Sequence, residues 1–220
     1  MKIKITFFLL FVSLFPVYGE EQFVYHASPI KGLKELIPRI STHGKNWVYA
    51  TKYIGIVAAY LGKWTDFDLA QGSCGDGTKI HLVERYKDAF KEIYGSSKGS
   101  IYKLNSTGFL ENMTGFSREV VNPSKVAVVE EIVVDFPLEY LKSLSEKGEL
   151  ELFYYPNRPS CIPKDDSDLA KKAVRWIKEG KPRTKDSLLK KHPDLAERLD
   201  AALKHEQASI TITRGQKLLE

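Results

Sequence analysis

Metal-binding and redox-active residue types are scarce in this sequence. Its 220 residues include two cysteines, two methionines and five histidines, and no two histidines stand four residues apart, as they would in a metal-binding helix. We therefore expect no metal site. Cys74 and Cys161 could form one disulfide in an oxidising compartment or remain free thiols, and the sequence leaves both alternatives open.

Blocks of like charge are missing as well. The chain carries 33 Lys and Arg against 28 Asp and Glu, a formal net charge of +5. Proteins that bind nucleic acid concentrate positive charge in stripes or runs, because they must neutralise phosphates. We therefore expect no nucleic-acid partner. The apolar share of 43% and the charged share of 28% are typical of a globular protein rather than a disordered one.

The longest apolar run stands at the N-terminus. Two lysines precede apolar residues 5–15, and Val17 and Gly19 suit a cleavage site before Glu20. This pattern predicts a signal peptide at residues 1–19, whose removal takes away the two lysines and lowers the formal charge to +3. The run is shorter than the roughly 20 residues that span a bilayer. We expect a secreted or periplasmic chain with no membrane span after cleavage; an uncleaved membrane anchor is the alternative.

Up to about residue 160 the sequence alternates short strand and helix patterns. Aromatic and β-branched runs predict strands at residues 22–26, 47–51, 79–84, 100–104, 119–121 and 125–135. Turn residues and helix formers predict short helices at residues 33–37, 53–61 and 88–94. The run at 125–135 is almost continuously β-branched, which suits a strand buried on both faces.

The pattern changes to helices from Ser167 onward. We predict helices at residues 169–179 and 193–204, where Pro193 takes a first-turn position and leucines recur every four residues. The abundant Lys, Asp and Glu of this stretch suit a solvated face better than a binding site. We interpret residues 161–220 as a helical C-terminal appendage packed on the β core.

Three short motifs follow one another in the first part of the chain. Tyr-His-Ala-Ser ends the first strand, one Tyr lies on the second strand with another eleven residues on, and a Glu leads a late strand before a turn and a return strand. The residues concerned are Tyr25, His26, Ala27, Ser28, Tyr49, Tyr60 and Glu119. In this order they resemble the ADP-ribosyltransferase superfamily, specifically its poly-ADP-ribose-polymerase-like and diphtheria-toxin-like branch with the His, Tyr and Glu signature.

The resemblance covers roughly residues 23–135 and implies an α+β fold with a split β-sheet core and short helices, to which the sequence pattern adds the helical C-terminal appendage. It assigns residues 20–160 to an ADP-ribosyltransferase-like domain. It further implies an enzyme that uses NAD as substrate and breaks its nicotinamide–ribose bond, and the predicted export favours an effector-like or toxin-like role. The enzyme would act as a mono-ADP-ribosyltransferase or as an NAD glycohydrolase. The acceptor, a protein or a small molecule, has no motif of its own in the sequence.

The resemblance also implies the catalytic residues. Glu119 would stabilise the positive charge that develops on the ribose, as carboxylates do in glycoside hydrolysis. His26 would donate a ring N–H to the ribose, and Tyr49 completes the signature. Glu130 is the alternative acid, since it also precedes a β-branched run. The turn and return strand that follow Glu119 favour Glu119.

The motif residues would also bind the nicotinamide end of NAD. The main chain of Ala27 and the hydroxyl of Ser28 would hold the carboxamide, which needs one donor and one acceptor. Tyr49 and Tyr60 would sandwich the flat cationic ring by stacking and cation–π attraction. Tyr25 and His26 complete the binding set.

One position departs from the family pattern. Ala27 stands where the family has Gly, so the backbone can approach a ligand less closely. Because of this departure and the two possible acids, a catalytically inactive binding module is an alternative function. An exported structural or interaction protein, in which the aromatic strand residues only form a core, is the third hypothesis.

Overall fold

The computed structural model describes residues 22–40, 44–74, 79–181 and 183–205. The predicted signal peptide at residues 1–19 lies outside the described residues. The strands are β1 (Phe23–Ser28), β2 (Glu35–Leu36), β3 (Arg39–Ile40), β4 (Asn46–Thr51), β5 (Leu69–Gly72), β6 (His81–Glu84), β7 (Gly99–Asn105), β8 (Leu110–Glu111), β9 (Glu119–Asn122), β10 (Val126–Val134) and β11 (Glu151–Phe153). The helices are α1 (Ile54–Ala59), α2 (Ala89–Tyr94), α3 (Pro137–Glu146), α4 (Ser167–Lys178) and α5 (Thr184–Lys191), followed by a 3-10 turn at Pro193–Leu195 and helical residues 196–205.

Eight strands form one antiparallel sheet. Its main path runs in the order β2-β10-β7-β1-β4-β9-β8, and β3 pairs with β4 off this path. A smaller sheet of three strands has the order β11-β6-β5. Because short helices accompany this largely antiparallel framework, the predicted α+β class is confirmed.

The main sheet opens between two of its central strands, β1 and β4. β1 pairs with β7 along its whole length, from Phe23 to Ser28. With β4 it shares a single register position, Tyr25 opposite Thr51. β4 in turn pairs with β9 over four positions. The ladder between β1 and β4 therefore ends after Tyr25, and the two strands separate toward the C-terminal end of β1.

Alternation along β1 sends its side chains to two cores. Val24 is buried with side chains of β4, β7 and β9 on one face of the sheet. Tyr25 and Ala27 pack against the larger core on the other face, which α1, α2 and α3 help to form. α1 approaches the turn after α3 closely because Gly55 has no side chain. A Cβ at this position would lie 2.7 Å from the carbonyl oxygen of Glu149.

The C-terminal helices form a third core around Phe67. Leu169, Leu188 and Leu199 are fully buried in the same cluster, and the ring of Trp176 lies 5.3 Å from that of Phe67 between centroids. The helices of the appendage thus pack on the loop that follows α1. No helix in the described part of the chain is long and apolar enough to cross a membrane.

A disulfide and a group of buried ion pairs connect the appendage to the rest of the chain. Cys74 and Cys161 form a disulfide with their Cα atoms 5.7 Å apart, so the structure has the first of the two alternatives that the sequence left open. Arg85 and Arg158 both pair with Asp166, just before α4, at 3.1 and 2.6 Å. The two arginine side chains are almost fully buried.

Two local predictions are wrong. Residues 33–37 do not form a helix, because Glu35–Leu36 is strand β2 and pairs with β10. A helix of five residues gains too few hydrogen bonds to form without tertiary support, and the sheet edge offers an alternative. β10 is not buried on both faces, since Val129 and Val133 are 55% and 52% exposed. Antiparallel strands near a sheet edge commonly leave one face to solvent.

Candidate active site

A cavity of about 360 Å³ opens where β1 and β4 separate. This volume falls within the range of roughly 300–1,000 Å³ for ligand pockets in proteins. Six of the seven motif residues line it: Tyr25, His26, Ala27, Tyr49, Tyr60 and Glu119. They come from β1, β4, the end of α1 and the start of β9, so the fold gathers segments that are far apart in the chain.

Strand register explains how three of these walls meet. Tyr25 of β1 lies opposite Thr51 of β4, which lies opposite Glu119 of β9. Directly opposite residues on neighbouring strands project from the same face. The N–H of Tyr53 donates to the hydroxyl of Thr51 at 3.2 Å, and α1 begins at the next residue. The turn after β4 therefore brings α1 and its C-terminal Tyr60 to the same side of the sheet as this row.

His26 bridges the gap between the two strands. Its Nδ1 lies 2.6 Å from the carbonyl oxygen of Tyr49. A carbonyl oxygen only accepts, so Nδ1 carries the proton and donates it. Burial lowers the pKa of His26 from its ordinary value of 6.5, the hydrogen bond to Tyr49 opposes this, and the charge of Arg39 adds to it. The ring is therefore neutral at pH 7.

The neutral ring of His26 has one consequence for the predicted chemistry. Because Nδ1 holds the only ring proton, Nε2 is an acceptor. The resemblance implies that His26 donates a ring N–H to the ribose. In this tautomer the ring would instead accept a hydrogen bond from a ribose hydroxyl.

The ring of Tyr49 is held by contacts along its own strand. Its hydroxyl donates to the carbonyl oxygen of Lys45 at 3.0 Å. The ring of Trp47 meets it edge-on, with 6.0 Å between centroids. Tyr49 and His26 also line a smaller adjoining cavity of about 170 Å³. These two side chains therefore border both cavities.

Tyr60 is presented by the C-terminal end of α1. Its ring stacks on Trp64, with centroids 5.5 Å apart and planes inclined by 21°. The indole N–H of Trp64 donates to the carbonyl oxygen of Ala59 at 2.8 Å, which fixes the indole. Burial raises the pKa of Tyr60 to about 12, and the charges of Glu119 and Asp66 contribute further. The residue is 53% exposed overall, so the raised pKa reflects the surroundings of the hydroxyl rather than burial of the whole ring.

Glu119 begins β9 and is partly buried. Its N–H donates to the carbonyl oxygen of Phe116 at 3.0 Å, and Phe116 also lines the cavity. The neighbouring Arg118 donates to the hydroxyl of Ser73 at 3.1 Å and lies over the ring of Tyr53 at 5.0 Å. The segment that precedes Glu119 is thus attached to two other parts of the chain.

Two of the predicted residues stand outside this cavity. Ser28 is buried, its hydroxyl accepts from the N–H of Ile30 at 3.1 Å, and it lines the smaller adjoining cavity. Glu130 lies exposed on β10, with a carboxylate oxygen 3.6 Å from Nζ of Lys103. Strand β7 separates β10 from β1. Of the two possible acids, only Glu119 lines the larger cavity.

Some lining residues have no counterpart among the predictions. They include Thr51, Ile56, Val57 and Phe116. Thr51 follows Tyr49 by two residues on β4, so the period of a strand places both on one face and gives a usable signal. Phe116 lies in a loop without periodicity. Within the described ranges, no group of three His, Cys, Asp or Glu side chains is placed to hold a metal ion.

Comparisons with known proteins found no match. The sequence matches no model of a protein family and no curated protein, and the chain matches no solved structure.

Proposed function

We propose that this chain is an exported, NAD-consuming enzyme with an ADP-ribosyltransferase-like fold, acting as a mono-ADP-ribosyltransferase or as an NAD glycohydrolase. One observation carries the proposal: a single cavity at the split between β1 and β4 is lined by His26, Tyr49, Tyr60 and Glu119. The antiparallel sheet with its split supports the fold part of the proposal. Export rests on the predicted signal peptide at residues 1–19.

The aromatic walls suit the nicotinamide ring of NAD. Tyr49 and Tyr60 line the cavity from β4 and from α1. A flat cationic ring gains from stacking on aromatic faces, and it is attracted by their negative charge. A tyrosine hydroxyl is protonated at neutral pH already, and the pKa of Tyr60 is raised further, to about 12, so its ring is uncharged there.

The main chain of Ala27 suits the carboxamide. The carbonyl of Gln22 accepts from the N–H of Ser106 at 2.9 Å, so the backbone groups of Gln22 point to β7. Alternation in an antiparallel strand then points the backbone groups of Tyr25 and Ala27 toward β4. Ala27 lies beyond the end of that ladder and lines the cavity. Its N–H and C=O complement the acceptor and donor of a carboxamide.

The bond-breaking step needs a negative charge near the ribose. Nicotinamide leaves with the electron pair of the glycosidic bond, and the ribose carbon passes through a cationic transition state. The carboxylate of Glu119 stabilises this charge and orients the incoming oxygen of water or of an acceptor, whose proton passes to the solvent as the new bond to the ribose carbon forms. The Nε2 atom of neutral His26 accepts a hydrogen bond from a ribose hydroxyl and so orients the sugar.

The test is nicotinamide release from NAD by oxidised residues 20–220. We expect Glu119→Gln to lower the rate by about 10²- to 10³-fold, because it removes the charge and keeps the shape. Glu130→Gln is the matched control, since it makes the same change on a glutamate outside the cavity, and its rate should equal that of the wild type. Equal rates in all three proteins would overturn the assignment of Glu119.

A catalytically inactive binding module is the second candidate function. The observation that favours it is that Ala27 lines the cavity at the position where the family has Gly. NAD binding in calorimetry without nicotinamide release would support this candidate. If the protein neither binds NAD nor releases nicotinamide, both candidates fail.

A further inference from the structure

A second cavity lies between the small sheet and α4. Its volume is about 210 Å³, and its polar lining residues include Asp66, Gln71, Ser73, His81, Arg85 and Lys172. The disulfide-bonded Cys161 forms part of the wall. None of these described residues lines the cavity to which the NAD chemistry is assigned.

Within the described residues, Nε is the one guanidinium nitrogen of Arg85 that makes no hydrogen bond. Its Nη1 donates to Asp166 and Asp168 at 3.1 and 3.2 Å, and its Nη2 donates to Asp168 at 2.5 Å. These bonds fix the plane of the guanidinium. The Nε–H is buried, and it has no hydrogen-bond partner among the residues that the structure describes. Arg85 as a whole is 4% exposed.

A buried guanidinium N–H without an acceptor is rare, because it forfeits the hydrogen bond that water gives it in the unfolded chain. The cavity that Arg85 lines is where an acceptor has room. Its volume is several times the roughly 30 Å³ that one water occupies in the liquid. It therefore has room for a group of several heavy atoms.

The lining of the cavity includes a second cation, Lys172. Nζ of Lys172 lies 2.6 Å from a carboxylate oxygen of Asp66, and both residues line the cavity. His81, also on the wall, has its Nδ1 3.1 Å from a carboxylate oxygen of Glu151. Arg85 and Lys172 thus line one small space together with the carboxylate of Asp66.

We propose that this cavity is a binding site for a small oxyanion, a carboxylate or a phosphate group. Both groups are anionic at neutral pH and offer at least two acceptor oxygens, which match the Nε–H of Arg85 and the ammonium group of Lys172. Both cations already have acidic partners, so we expect a modest affinity. The site is independent of the NAD chemistry, and its test contains no NAD.

The Nε–H of Arg85 is itself the reporter. In ¹H–¹⁵N spectra of oxidised residues 20–220, the Arg85→Lys variant identifies this signal by its loss. We expect sodium phosphate or sodium acetate to shift the signal saturably, with sodium chloride at equal ionic strength as the control. A shift with phosphate alone assigns phosphate groups, and a shift with acetate alone assigns carboxylates. No saturable shift with either anion would overturn the proposal and leave a water-filled cavity.

Three substitutions around the cavity test where the anion binds. Lys172→Ala removes one charged donor and leaves Asp66 facing the anion, so we expect binding to weaken about tenfold or more. Asp66→Asn releases Lys172 from its partner and should tighten binding. Lys171→Ala changes the neighbouring lysine of α4, which does not line this cavity, and should bind as the wild type does. Equal affinities in all three variants would overturn the assignment to this cavity.

Discussion

Nδ1 of His26 donates to the carbonyl oxygen of Tyr49 at 2.6 Å, and this hydrogen bond crosses the gap where the ladder between β1 and β4 has ended. A side chain here takes the place of the missing backbone pairing. The same bond selects the tautomer of the ring, because only a protonated Nδ1 can make it. The split of the sheet and the chemistry of His26 are therefore coupled.

The lowered pKa of His26 predicts a loss of stability in acid. The unfolded side chain titrates near 6.5 and the folded one below that value. Between the two values the unfolded chain binds more protons, so the free energy of unfolding falls as the pH falls from about 6.5 toward the folded pKa. Above 6.5 this contribution is constant. We expect a lower melting temperature at about pH 5.5 than at about pH 7.5.

The control for this prediction is His26→Gln. The amide of Gln can donate to the carbonyl oxygen of Tyr49 but does not titrate. The melting temperature of the variant should therefore decrease less than that of the wild type over the same pH interval. Equal losses in the two proteins would show that other groups cause the acid destabilisation.

The stack of Trp64 on Tyr60 predicts a role for Trp64 in NAD binding. The two rings lie 5.5 Å apart, and Trp64→Leu removes the support that orients Tyr60. Aromatic pairs are worth about 0.5–1.5 kcal/mol, so we expect the dissociation constant for NAD to rise roughly three- to tenfold. Trp64→Phe loses the same indole hydrogen bond to Ala59 but keeps a ring, and should bind NAD more tightly than Trp64→Leu. Equal affinities in the two variants, measured by calorimetry, would contradict this role.

The sequence predicts the cavity better than it predicts the elements around it. Tyr25, Tyr49 and Glu119 lie in segments whose residue patterns predict strands. The register of those strands then brings the three residues together. Ser28 shares the first motif, yet its hydroxyl is taken by the N–H of Ile30. The Ser28-Pro29 pair is a local turn signal that was available in the sequence, because serine hydroxyls commonly accept from the backbone N–H two residues on.

Elements that depend on distant partners escape local patterns. Glu35–Leu36 forms a strand because β10 lies beside it, which no feature of residues 33–37 indicates. Helices α3 and α5 have no counterpart among the predictions, although Leu141 of α3 and Leu188 of α5 are fully buried. Short helices receive most of their stability from tertiary packing, and the sequence does not display that packing.

The close approach of Gly55 to Glu149 predicts that Gly55→Ala destabilises the fold. The new Cβ would lie 2.7 Å from a backbone oxygen, which cannot move as a flexible side chain does. Overpacking of this kind costs about 1–3 kcal/mol, more than the roughly 1 kcal/mol that Ala gains over Gly in a helix. We expect a lower free energy of unfolding in urea.

Gly72→Ala is the matched control for Gly55→Ala. A Cβ at Gly72 has no atom within 4 Å and its backbone is not left-handed. The same substitution there should leave the free energy of unfolding unchanged or raise it by about 0.4–1 kcal/mol, because it restricts the unfolded chain. Effects of the same sign at both glycines would contradict the proposed clash.

The buried ion pairs predict a strong dependence on Arg158. Its guanidinium donates to both carboxylate oxygens of Asp166, at 2.6 and 2.8 Å, and its side chain is 2% exposed. Removing one partner of a buried pair costs about 3–5 kcal/mol. Arg198→Ala removes an exposed pair with Asp165 and should cost at most about 1 kcal/mol. Similar unfolding midpoints for Arg158→Ala and Arg198→Ala would mean that Asp166 is compensated by Arg85 alone.

We predict that the disulfide contributes a large share of the free energy of unfolding. Cys74 and Cys161 are separated by 87 positions, and closing a loop of this length restricts the unfolded chain considerably. We expect the double variant Cys74→Ser, Cys161→Ser to lose about 2–5 kcal/mol in the free energy of unfolding. Titration of thiols in the denatured wild type should find none before reduction and two after it. If the unreduced protein shows two thiols, the disulfide does not form in the purified chain. The double variant should then have the same free energy of unfolding as the wild type.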